Sequence, residues 1–189
     1  MLCCLQTLAD VEECKKANIA FYWGYPVNNY YDLRALKELG VAYVRLDAPL
    51  FFEMDEVKKF GIPIRAVPNV AHLGDIPNKN GIYGTWIRPE NLDLYNNYIT
   101  HLEFEDCDIK KEAALYRIYA EQKAWPSGLN LLFSNFKTQA DNNLILENTL
   151  QARLNCGQKC QKNGRCNICG KVIELANVTN MKDYLNLDE

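Results

Sequence analysis

Apolar positions along the chain fall into short blocks divided by turn residues, and the blocks switch between a strand rhythm and a helix rhythm. Ile19 to Trp23 is a continuous apolar run that stops at Gly24-Tyr25-Pro26, which reads as a strand. Asn28 or Asn29 is then a fitting N-cap for a helix in which Leu33, Leu36 and Leu39 share one face, and Gly40 follows as its terminator. Val41 to Leu46 is a second strand, rich in β-branched and aromatic residues, closing at Asp47-Ala48-Pro49. A short helix over Glu53 to Phe60 ends at Gly61, and Ile62 to Val67 forms a third strand before Pro68-Asn69.

Further along, Ala71 to Gly81 is polar and rich in Gly, Pro and Asn, so it reads as an irregular loop. Ile82 to Ile87 is a fourth strand, and Pro89-Glu90 opens a helix with proline near its first turn. Ile99 to Phe104 is a fifth strand. Lys110 to Lys123 is a helix with Leu115, Ile118 and Tyr119 as its apolar stripe. Leu129 to Phe133 is a sixth strand, Asp141 to Leu154 a last helix, and Ala176 to Glu189 a small helix or a loose tail.

Strands alternating with helices define an α/β protein with a parallel sheet. The repeated β-α units form either an open parallel sheet or a shortened TIM-barrel-like one, because a complete barrel takes about 250 residues and this chain has 189. The expected organisation is a βα-repeat domain over 1–150, a cysteine-rich segment over 151–175 and a tail over 176–189.

Composition sharpens this picture. A hydrophobic content of 48% supports a packed core and argues against disorder. A net charge of −3 excludes a globally basic nucleic-acid binder, so any such role rests on a local patch. The start, Met1-Leu2-Cys3-Cys4-Leu5, lacks a basic leader region, and Asp10, Glu12 and Glu13 interrupt any apolar run. No stretch reaches the roughly 18 apolar residues needed to cross a bilayer. These features predict a cytoplasmic protein with no membrane partner, in a host's cytoplasm if the source is viral. Four of the 8 cysteines, Cys3, Cys4, Cys14 and Cys107, are scattered and read as reduced, partly buried thiols.

In parallel α/β folds the working residues sit where strands end. Here those positions carry Arg45 and Asp47, then Arg65 with Asn69 and His72, then Trp86, Arg88 and Glu90, then Glu103 and Glu105. Arg45, Arg65 and Arg88 suit an anionic group, since guanidinium forks match phosphate and carboxylate. Asp47, His72 or Glu103 could then move a proton. Arg and Asp at strand ends also form structural ion pairs, and that reading stands beside the substrate-binding one. His101 lies within a strand and reads as structural. No phosphate loop, dinucleotide fingerprint or nucleophile elbow is present: Gly81-Ile82-Tyr83-Gly84 lacks the required spacing, and Trp125-Pro126-Ser127-Gly128 is a turn.

The other four cysteines, Cys156, Cys160, Cys166 and Cys169, follow the pattern C-x3-C-x5-C-x2-C. Four thiolates satisfy zinc tetrahedrally. Gly157, Gly164 and Gly170 supply the tight turns such a knuckle needs. Between Asn155 and Lys171 the one large apolar residue is Ile168, so a structural zinc would fold the segment outright. An iron–sulfur cluster takes the same four ligands and is the alternative, although the spacing differs from the usual ferredoxin runs. Arg153, Lys159, Lys162, Arg165 and Lys171 make 153–171 basic, which suits nucleic-acid phosphates or an acidic protein surface. It has no aromatic residue on which bases could stack.

The stretch from Pro26 to Cys107 resembles the U32 peptidase-like family. The resembling pieces are Asn29-Tyr30-Tyr31-Asp32-Leu33, Leu36-Lys37-Glu38-Leu39-Gly40, Trp86-Ile87-Arg88-Pro89-Glu90-Asn91-Leu92, and Leu102-Glu103-Phe104 shortly before Cys107. The resemblance implies a barrel fold and adds weight to an iron–sulfur cluster, since several members hold one on four cysteines and hydroxylate RNA or quinone precursors. This chain bunches its cysteines at the end instead of spreading them over the barrel, and no catalytic residue carries over. Two functions are therefore expected to compete. One is a zinc-binding accessory protein whose basic segment docks a protein partner, a second copy or nucleic acid. The other is a barrel enzyme acting on an anionic substrate at the strand ends, with or without an iron–sulfur cluster.

Overall fold

Four residues at the start of the chain, Leu2–Leu5, form a strand (β1) that hydropathy does not announce. It pairs in parallel with Ala20–Trp23 (β2), Leu2 opposite Ala20 and Leu5 opposite Trp23. In this computed structural model, residues 2–69, 72–76, 79–83, 85–105, 109–122, 138–139, 150–157 and 179–180 are described. They are mixed α/β and divide into two compact units: 1–66 with 96–103 and 154–157, and the remainder.

The first unit alternates strands and helices. Ala9–Lys16 (α1) carries Asp10 and Glu12 in its first turn and Lys15 and Lys16 in its last, each matched to the helix dipole, and buries Val11 and Cys14. Tyr30–Leu39 (α2) starts at Asn29, whose side-chain oxygen accepts from the Asp32 N–H at 2.9 Å. It stops at Gly40, whose left-handed φ of 79° would strain any side chain. Val44–Arg45 (β3), Ala48–Phe51 (α3), Met54–Lys58 (α4), Ile64–Ala66 (β4) and, after an excursion of the chain, Ile99–Leu102 complete it.

All strand pairings of this unit are parallel. One short sheet is β1-β2; the other sets β4 between β3 and Ile99–Leu102. The Ala42 N–H donates to the Phe21 carbonyl at 2.7 Å, and a parallel bridge joins Val27 to Leu46, so the sheets meet side by side. The strands thus follow one another in chain order. Leu5, Phe21, Val44, Leu46, Ile64 and Ala66 are buried on one side. Leu33 and Leu36 of α2 are buried too, as are Phe51, Met54 and Val57 from α3 and α4. Among the described residues the strands do not close into a barrel.

The second unit departs most from the sequence expectations. His72–Ile76 (β5) and Lys79–Tyr83 (β6) form an antiparallel hairpin where an irregular loop was expected. Gly74 faces Gly81 across it. Alternating apolar residues are too few there to mark strands; backbone pairing defines the hairpin. The expected strand Ile82 to Ile87 ends at Tyr83. Beyond it the Ile87 N–H donates to the Pro68 carbonyl at 3.0 Å, and Thr85 Oγ1 to the Val67 carbonyl at 2.9 Å.

Pro89–Tyr95 is a 3₁₀ helix, with the Asn91 N–H on the Arg88 carbonyl at 3.0 Å, and not the α-helix that proline suggested. The fifth expected strand is Ile99–Leu102 (β7), in the first unit. Ile109–Glu121 (α5) buries the predicted stripe of Leu115, Ile118 and Tyr119. Thr138–Gln139 (β8) pairs with Thr179–Asn180 (β9), so a strand lies within the tail read as helical or loose. The expected strand 129–133 and helix residues 141–149 lie outside the described residues. No helix among the described residues is long and apolar enough to cross a membrane.

Candidate functional site

Side chains on a strand point alternately to its two faces, so a sheet buried on one face offers a second array on the other. In the first unit this second array is Cys4, Tyr22, Tyr43, Arg45, Arg65 and Glu103. With Trp23 and Gly24 they line a cleft of about 100 Å³ on the first unit's strands. Register explains the convergence: Cys4 lies opposite Tyr22, and Arg45 opposite Arg65. The Glu103 N–H, just past β7, donates to the Ala66 carbonyl at 2.9 Å, which carries Glu103 to the same end of the strands.

Arg65 is the hub. Its Nη1 donates to Tyr43 Oη at 2.6 Å and its Nη2 pairs with a Glu103 carboxylate oxygen. Its guanidinium carbon lies 5.3 Å from the Tyr22 ring centre and 5.2 Å from that of Tyr43, within cation–π range. The two rings stack at 4.6 Å with 22° between planes. His101 lies 5.7 Å from Tyr43, its Nδ1 2.8 Å from Thr100 Oγ1. The Tyr22 hydroxyl is pushed above the usual tyrosine range, first by its hydrogen bond with Cys4 and then by burial. It is therefore a neutral donor at physiological pH.

Gly24 borders Cys4 closely. Its N–H donates to the Leu5 carbonyl at 2.9 Å. A Cβ on Gly24 would sit 2.9 Å from Cys4 Sγ and 3.1 Å from that carbonyl. Glycine at this strand end therefore leaves room for the thiol.

The sequence-predicted residues divide as follows. Arg45, Arg65 and Glu103 share the cleft. Asp47 lies outside its lining, just past β3, where its carbonyl accepts from the N–H groups of Leu50 and Phe51 and starts α3. Arg88 belongs to the second unit. It is buried, with Nε on Asn91 Oδ1 at 2.5 Å and Nη1 3.3 Å from Glu90 Oε1. His72 opens β5, and its side chain lies outside the described residues. Cys4, Tyr22, Trp23 and Tyr43 were not singled out from sequence. Tyr43 and Arg45 are two apart in the expected strand Val41 to Leu46, and that spacing was the available signal. Cys4 is exposed and Cys3 half-buried, so burial does not extend to every scattered cysteine.

Of the four clustered cysteines, Cys156 is described, and Cys160, Cys166 and Cys169 lie outside the described residues. Among the described residues no group of three or more His, Cys, Asp or Glu could hold a metal ion. Cys156 sits on a well-held strap. The Met54 N–H donates to the Leu154 carbonyl at 3.1 Å and the Gly157 N–H to the Phe52 carbonyl at 2.9 Å. Arg153 does not belong to a solvent-facing basic patch. It is 1% exposed, its guanidinium carbon 4.0 Å from the Trp86 ring centre, with Nη1 donating to the Trp86 carbonyl at 3.3 Å.

The chain matches no protein-family model, no curated protein and no solved structure.

Proposed function

We propose that the strand-end cleft of the first unit binds a small anionic ligand, a carboxylate or phosphate, and that the protein acts on it there. The convergence of Arg45 and the Arg65–Glu103 pair with two stacked tyrosines on the unburied side of successive parallel strands carries this reading. Arg45 supplies charge; Arg65, braced by Tyr43 and Glu103, supplies a fixed wall; Tyr22 supplies a neutral donor. Strands in chain order also fit the barrel-like arrangement that the U32 peptidase-like resemblance implies. Titration calorimetry with inorganic phosphate and with succinate tests the reading. Arg45→Ala should weaken binding about tenfold to a hundredfold, as expected for a charge-assisted contact. Equal binding by this variant sinks it.

A second reading concerns the cysteine segment. Cys156, Cys160, Cys166 and Cys169 hold one structural zinc ion, or an iron–sulfur cluster, and the segment docks a protein partner, a second copy or nucleic acid in a reducing cytoplasm. Four thiolates at this spacing support it, and so does the anchoring of Cys156 beside Phe52. Lys159, Lys162, Arg165 and Lys171 are its cations for an anionic partner, Arg153 being buried. Elemental analysis of purified protein should give about one zinc per chain. Iron with acid-labile sulfide selects the cluster instead.

A further inference from the structure

The two neighbouring cysteines of β1 point to opposite faces of the sheet. Cys14 of α1, buried, has its thiol pushed up first by burial and then by the neighbouring Cys3, which lies on the helix side. Cys4 lines the cleft, opposite Tyr22 across the β1–β2 pair, and is exposed to solvent. The thiol therefore shares a cleft of about 100 Å³ with two arginines and a tyrosine hydroxyl. That volume admits a ligand of a few heavy atoms, since one water takes about 30 Å³ of liquid. Glycine at position 24 keeps the approach to the sulfur open; any side chain there would begin 2.9 Å from it.

We propose that Cys4 is the reacting thiol of the cleft, adding to the electrophilic carbon of a small ligand whose carboxylate Arg45 receives. This rests on the anion-binding reading of the same cleft. With an α,β-unsaturated carboxylate the sulfur bonds to the β-carbon, the π electron pair moves to the α-carbon, and the thiol proton ends there. An S–H and a π bond give way to an S–C and a C–H bond, with no oxidant or reductant. The thiolate is the attacking form, and the Tyr22 hydroxyl donates to the carboxylate oxygen on which charge builds as the bond forms. Tyr43 and Glu103 act through Arg65, holding it in place, and are positioning residues.

Site-resolved alkylation of the full chain tests this. Iodoacetate and iodoacetamide both form an S–C bond with loss of iodide, but only the first carries a carboxylate. Peptide mass spectrometry then follows each cysteine. At Cys4 the rate ratio of iodoacetate to iodoacetamide should exceed that of the unfolded chain and of Cys3 by about tenfold, the effect of one charge-assisted contact. The iodoacetate rate should saturate, and inorganic phosphate should slow it. Arg45→Ala should return the ratio to that of the unfolded chain while thermal unfolding shows it still folded; Arg45→Lys should retain part of the preference. Gly24→Ala should slow both reagents at Cys4. If the ratio at Cys4 equals that of the unfolded chain while phosphate still shields the thiol from iodoacetamide, the thiol proposal falls and the anion site survives. If phosphate gives no shielding either, both fall.

Discussion

Asn155 and Asp55 grip each other twice. The Asp55 N–H donates to Asn155 Oδ1 at 2.9 Å, and Asn155 Nδ2 donates to Asp55 Oδ2 at 2.8 Å. Tyr98 adds a third bond, from its hydroxyl to Asp55 Oδ1 at 2.7 Å. The strap that carries Cys156 is thereby fastened to the start of α4 by side chains as well as by backbone. Asn155→Ala should cost about 1–2 kcal/mol of the first unit's stability, two hydrogen bonds of ordinary net strength. Tyr98→Phe should cost about half as much. Urea unfolding measures both, and an unchanged midpoint for Asn155→Ala would show that the strap adds nothing.

Arg153 over Trp86 is the buried counterpart in the second unit. Cation–π contacts shielded from water are worth about 2 kcal/mol, and the aliphatic stem adds packing. Arg153→Ala should therefore destabilise by about 2–4 kcal/mol. Arg153→Lys should recover little, because an ammonium cannot lie flat on the indole and reach the Trp86 carbonyl together. Full recovery by lysine would show that charge alone matters there.

Stability should fall on the alkaline side. Tyr119 is buried with its hydroxyl on the Ile87 carbonyl, and its ionisation is pushed well above the usual range, first by burial and then by Glu90. Tyr30 is raised by burial and by Glu53, and Tyr98 first by its bond to Asp55. These groups keep their protons longer folded than unfolded. Their contribution is complete below about pH 10, the unfolded value, and is lost as pH climbs toward the folded values. Urea midpoints should hold between about pH 8 and 10 and decline above about pH 10, and Tyr119→Phe should flatten that decline at the expense of a lower plateau.

The cysteine segment can be tested without knowing its partner. If the metal folds it, Cys166→Ser or a chelator should expose residues 158–171 to limited proteolysis and release about one zinc per chain. The same digestion pattern with and without chelator would count against a metal-folded segment.

How much of this was legible beforehand depended on how each element is held. α2 was, because Asn29, three leucines and Gly40 each act locally. The cores of β2, β3, β4 and β7 were legible from apolar runs, though two- to four-residue strands left their ends uncertain. β1 was missed because its order comes from pairing with β2 and not from its own pattern. The hairpin of β5 and β6 was missed for a similar reason: glycines face each other where a periodic side-chain signal would otherwise be. At the cleft, charge pointed to Arg45, Arg65 and Glu103, while the aromatic and thiol neighbours emerged from register alone. Arg88 carried the same strand-end signature and proved to be a buried ion pair with Glu90.

The succession of parallel strands also bears on how the chain acquires its shape during synthesis. β1 has its partner as soon as β2 emerges, and β3 as soon as β4 emerges, so each pairing closes only a short stretch of chain. Four strands can assemble before Val67 to Tyr95 is made. β7 is added only after the whole of Val67 to Tyr95 has been produced, and Leu154 to Gly157 later still. Glu103, the brace of Arg65, arrives with β7. The cleft is thus complete only once β7 and Glu103 have been made, and a nascent chain stalled before β7 would carry Arg65 without the carboxylate that holds it.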